Sequence, residues 1–186
     1  MTITTEETSQ QTVTLAGPEV PRQAELFTPE TLEFLAVLHG EFGLRVQALG
    51  GGTASKSTSC NWSLMVDQHL VEPPSSFISP RRLCRTQDKV MSNGTPVSAG
   101  IVDFGLHIHR NAHRLLAEGR APFVSLPGTE TEEELQIWRE LFIRAEQLLG
   151  LPDGIIRAIH LGPGEPDMDD DEDGEASSAE ILVSRS

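Results

Sequence analysis

Between Phe77 and Leu161 the chain alternates strand and helix signals, and that order restricts the fold more than any other feature. Phe77-Ile78 reads as a brief strand. Val102 to Glu118 reads as an amphipathic helix stopped by Gly119. Pro122 to Leu126 reads as a second strand. Thr131 opens a second helix, with Glu134 at the capping-box position. Leu135, Trp138, Leu141, Phe142, Ala145, Leu148 and Leu149 share its apolar face, and Gly150 with Pro152 stops it. Ile155 to Leu161 has the apolar character of a buried strand, closed by Gly162-Pro163-Gly164. Strand–helix–strand order predicts parallel pairing through right-handed crossovers, and therefore an α/β fold built as an open sheet or a barrel.

The flanking regions divide by composition. Residues 1–25 are rich in Thr, Glu and Gln without periodicity and read as a disordered lead. Residues 26–49 read as an N-terminal helix. Thr28 can cap it, Pro29 suits its first position and Glu30 favours the positive end of its dipole. Leu32, Leu35, Leu38 and Phe42 recur at helical spacing, and Gly40 and Gly43 are expected to weaken the helix. Residues 50–75 read as a linker or irregular segment holding one short apolar patch, Trp62 to Leu70. Residues 76–162 carry the α/β pattern, and residues 163–186 form an acidic, disordered tail.

The chain has 186 residues and a formal net charge of −14, much of it between Glu165 and Glu175. That balance argues against nucleic acid or an anionic membrane surface as a partner. Cys60 and Cys84 have neither metal-ligand spacing nor a disulfide framework, so the sequence favours a reducing, cytoplasmic setting. Asn61-Trp62-Ser63 and Asn93-Gly94-Thr95 match the glycosylation pattern, read as chance in the absence of a secretory signal.

A more specific pattern lies in individual residues. Asp103-Phe104-Gly105-Leu106, Asn111-Ala112, Leu126-Pro127, Glu130, Trp138 with Phe142, Pro152 with Gly154, and Ile156-Arg157-Ala158 stand in an order and spacing that closely resembles the central barrel segment of malate synthase. Residues 26–42 add a weaker likeness to a helix near the start of that family. The resemblance implies a TIM-barrel setting, and the fold expected is an incomplete (β/α)8 barrel fragment preceded by the N-terminal helix. It also implies the glyoxylate-cycle transferase reaction, in which glyoxylate, acetyl-coenzyme A and water give malate and coenzyme A.

The same resemblance allows each functional position to be examined. The family's glyoxylate-polarising arginine falls at Ser79 in the stretch Ser79-Pro80-Arg81-Arg82, where a second arginine is retained as Arg81 and a glycine is replaced by Arg82. The family's magnesium-binding glutamate falls at Pro163, with Glu165 two residues beyond. A lysine expected after Leu126-Pro127 is Gly128. The second metal ligand and the catalytic base have no counterpart. The expectation is a truncated chain without the family's activity and without a cofactor. Its open sheet edges would be covered by self-association or by another protein.

Other motifs point elsewhere. His107, His109 and His113 form H-x-H-x-x-x-H, a metal pattern or an ordinary half-buried helix face. Residues 50–57, G-G-G-T-A-S-K-S, approach a P-loop but place Ser55 where glycine is required, and read better as linker. Asp169, Asp171, Asp173, Gly174 and Glu180 fit a calcium-loop pattern within an acid run. This leaves open an alternative: a non-catalytic interaction or calcium-binding protein acting through its tail. Ser184-Arg185-Ser186 only partly matches a peroxisomal signal, so a peroxisome or glyoxysome is the alternative compartment.

Overall fold

The computed structural model describes residues 12–49, 61–126 and 130–160. It starts with a strand, β1 (Val13–Leu15), and one helical turn, α1 (Gln23–Leu26). Both lie where composition predicts a disordered lead, and that expectation is corrected from residue 12 onward. Val13 is buried, and β1 pairs antiparallel with the distant segment Val90 to Ser92. Long-range pairing of this kind leaves no local signature.

Helix α2 (Pro29–Leu49) begins as expected, with Thr28 Oγ1 accepting from the Thr31 backbone at 3.3 Å. It runs unbroken through Gly40 and Gly43. Gly43 is buried, and a Cβ there would lie 2.8 Å from the His39 ring, so the glycine makes room for that ring. Tertiary packing of Leu35, Leu38, Phe42 and Val46 outweighs the local cost. Helix α3 (Trp62–His69) follows, with Asn61 capping it by accepting from Leu64 N at 3.2 Å. The segment expected to be irregular is therefore helical here. Trp62 anchors it by donating to Gln23 Oε1 at 2.6 Å and stacking on Phe27.

Strand β2 (Phe77–Ile78) is followed by a hairpin, β3 (Thr86–Ser92) and β4 (Thr95–Ser98). Its turn is Asn93-Gly94, with φ of 48° and 81°. Two successive positive φ values are what a tight two-residue hairpin turn requires. Asn93-Gly94 is thus a hairpin turn lying inside the glycosylation pattern Asn93-Gly94-Thr95. Sheet order β1-β3-β4 leaves Pro96 on an edge strand, where its missing N–H removes no necessary bond.

Helix α4 (Ala99–Ala117), strand β5 (Phe123–Leu126), helix α5 (Glu132–Leu149) and strand β6 (Arg157–His160) complete the described chain. Thr131 caps α5 by accepting from Glu134 N at 3.2 Å, and Gly150 closes it at φ 62°. Glu146 is buried on α5 and accepts from Gly154 N and Ile156 N at 2.9 and 2.8 Å, which fixes the approach to β6.

Strands β2, β5 and β6 form a parallel sheet, as the element order predicts. Val124 and Leu126 are buried on the face that joins the helical core. The opposite face carries Phe77 stacked on Phe123 and leaves Phe77 57% exposed. The architecture is α/β, and the described residues close no barrel. No described helix is long and apolar enough to cross a membrane.

Candidate functional site

Parallel strands bring their C-terminal ends to one rim, the place where α/β enzymes assemble chemistry. Ser79 stands exposed there, directly after β2. Arg81, two residues on, turns back against α4. Its backbone N, Nε and Nη2 all donate to the Asp103 carboxylate, at 3.0, 2.8 and 2.7 Å. Gly100 permits this approach, since a Cβ there would meet the Arg81 carbonyl oxygen at 2.6 Å. The retained arginine thus joins the rim to a helix.

Arg82 pairs with Glu134 across 3.8 Å. Glu134 is buried, and burial raises its carboxyl above the usual range against the pull of Arg82. Its carboxylate stands beside Arg82, while the cap of α5 rests on Thr131.

The three histidines of the H-x-H-x-x-x-H pattern do not meet. His109 Nδ1 lies 3.1 Å from Thr31 Oγ1 and its ring packs on Phe34. His113 is exposed, and His107 is buried. Among the described residues no group of three or more His, Cys, Asp or Glu side chains could hold a metal ion. The ordinary helix-face reading of these histidines stands: His109 and His113 lie one turn apart on one face, and His107 lies on another.

His107 instead lines a cavity of about 570 Å³ shared by α3, the segment 71–79 and α4. His69 lines it as well, and sequence reasoning passed over this residue. Burial, assisted by the nearby His69, lowers the His107 imidazole from its ordinary 6.5 to about 4. Burial also lowers His39 and His109. The folded state therefore binds fewer protons than the unfolded state below pH 6.5. Stability is fully present above that value and is lost as pH falls toward about 4. We expect His107 alone to lower the folding constant by roughly tenfold per pH unit across this window. His107→Phe should flatten the profile measured by urea unfolding at stepped pH. An unchanged slope in that variant would refute the assignment.

The remaining sequence-derived positions lie outside the described residues. They are Cys60, the glycine-rich loop at 50–57, Gly128, Pro163 with Glu165, the acidic loop Asp169 to Glu180, and Ser184 to Ser186. Cys84 is a free, half-buried thiol.

The fold is thus a parallel β/α unit whose strand ends share a rim. Residues 76–162 match the family model of the malate synthase TIM barrel domain. The chain is 34% identical over 98 residues to the glyoxysomal malate synthase of Candida tropicalis, covering 53% of this chain and 17% of that protein. It is 36% identical over 95 residues to a Streptomyces arenae malate synthase, covering 51% and 14%. It is 33% identical over 125 residues to the Myxococcus xanthus malate synthase, covering 67% and 22%. The resemblance to malate synthase read from the sequence is borne out over the barrel segment. The chain spans between 14 and 22% of the length of these relatives.

Proposed function

We propose that this chain is a malate-synthase-type polypeptide that does not carry out the family's condensation. The observation that carries the reading is Ser79. It stands exposed at the C-terminal end of β2, where the resemblance places the arginine that polarises glyoxylate. A hydroxyl cannot supply the positive charge that a developing oxyanion needs, and losing one such group costs about 10²–10³ in rate. Arg81 does not replace it, because Nε and Nη2 are committed to Asp103. Among the described residues no group of three or more His, Cys, Asp or Glu side chains could hold the magnesium that the family uses. The ligand glutamate's position, Pro163, has a side chain with no ligating atom.

Purified chain given glyoxylate, acetyl-coenzyme A and magnesium should release no free coenzyme A above background. Turnover in the ordinary enzyme range, about 1–10³ per second, would overturn the reading.

We read β2, β5 and β6 with α4 and α5 as part of a (β/α)8 barrel. Among the described residues, both β2 and β6 are edges of the order β2-β5-β6. Edges beside an exposed Phe77 favour self-association or a protein partner that covers them. Sedimentation velocity should show concentration-dependent association, weakened by Phe123→Lys; a single monomeric boundary at all concentrations would end this idea. The glyoxysomal names of relatives from Candida tropicalis and Cucurbita maxima support a peroxisome or glyoxysome as the compartment, to be tested with a fluorescent fusion.

A further inference from the structure

The cavity between α3, the segment 71–79 and α4 has, at about 570 Å³, the size that holds a small organic molecule. Its mouth is apolar. Leu64, Val71 and Phe77 are exposed by 53%, 59% and 57%, and all line it. Its interior is polar, yet the ion pair within it is internally balanced, with Arg81 held by Asp103.

Two histidines complete the interior. His107 is only 7% exposed, and Nε2 of both His69 and His107 is buried with no hydrogen-bond partner. The opposite ring nitrogens assign the tautomers. His69 Nδ1 lies 3.0 Å from the Met65 carbonyl oxygen. A carbonyl only accepts, so Nδ1 carries the hydrogen, and Nε2 of the neutral ring is an acceptor. Asn111 Nδ2 lies 3.4 Å from His107 Nδ1 and donates to it. The hydrogen of neutral His107 therefore sits on Nε2, which is a donor. Between them the two histidines offer one unmet acceptor and one unmet donor. A hydroxyl answers both, giving its hydrogen to His69 and accepting from His107.

We propose that this cavity binds a neutral, largely apolar alcohol. Its hydroxyl lies between His69 and His107, and its hydrocarbon lies toward Leu64, Val71 and Phe77. A carboxylate offers only acceptors and an ammonium only donors, and either would add a net charge beside an Arg81–Asp103 pair that is already neutral. This ligand class is unlike the anionic reactants of the condensation, so the proposal stands independently of whether the chain turns them over.

Three probes of equal chain length test it on the full chain: 1-hexanol, hexanoate and hexylammonium. Binding is followed by the ¹H–¹³C resonances of histidine Cε1. Saturable shifts at His69 and His107, with His113 unmoved, are expected for 1-hexanol, and both ions should bind at least about tenfold more weakly. His107→Phe keeps a ring of similar size and removes the donor; His69→Leu removes the acceptor. Each should weaken 1-hexanol about tenfold. His113→Gln should change nothing, and the dispersion of the remaining resonances reports whether each variant is folded. Equal binding of hexanoate, an unchanged affinity in either folded variant, or no saturable shift at both histidines would each overturn the proposal.

Discussion

Replacing Asp103 by alanine should lower the unfolding free energy by about 3 kcal/mol or more, as measured by urea denaturation. The Asp103 side chain is 9% exposed and its partner Arg81 22%. Three donors of one residue converge on this carboxylate, one of them the Arg81 backbone N–H. Its removal takes the carboxylate from a guanidinium that solvent reaches only partly, and it frees the chain after β2 from the helix that positions it. Two consequences separate this account from mere loss of packing. Asp103→Asn keeps an acceptor without the charge and should cost less, about 1–3 kcal/mol. Arg81→Ala should lose much of the same energy, so the double variant should be far from additive. Additive single effects, or an Asp103→Ala cost within about 0.5 kcal/mol of zero, would show that the pair is incidental.

The parts of this fold that were legible are those with local chemistry behind them. Thr28 and Thr131 cap helices because a hydroxyl can accept from the exposed first-turn N–H groups, and both do so. Gly150 ends α5 because a left-handed residue is needed there. The parallel sheet follows from element order. The parts that were not legible depend on partners distant in sequence. β1 exists through its pairing with β3, and Gly43 is tolerated in α2 because the His39 ring occupies the space of its missing side chain. The histidine pattern in α4 was visible, yet its meaning depends on His69 of α3, which helix packing alone brings beside His107. At the rim, the substitution at Ser79 could be read from the motif. The commitment of Arg81 to Asp103 could not, because the two lie 22 residues apart and only the fold brings them together.

Phe104→Ala should be equally damaging, lowering the unfolding free energy by about 3–5 kcal/mol. Phe104 is fully buried on α4. It meets Trp138 edge-on at 5.9 Å and Phe142 at 5.4 Å, both on α5. Truncation removes a large apolar side chain from water-free surroundings and breaks two ring contacts at once. The neighbours are held in place by the helices, so they fill the void only in part, and the residual cavity adds to the lost transfer energy. Next to it in sequence, Gly105 lets α4 approach α2 closely, with a Cβ there meeting Leu35 Cδ2 at 2.5 Å. That crossing limits how far α4 can move to close the gap. Phe104→Leu, which keeps more of the volume, should recover a large share of the loss. Trp138 supplies an optical reading of the same event, since its ring packs on Phe104: its fluorescence should change in the native state of the alanine variant. A native-state spectrum and a urea midpoint both identical to wild type would mean that this aromatic contact does not hold α4 to α5.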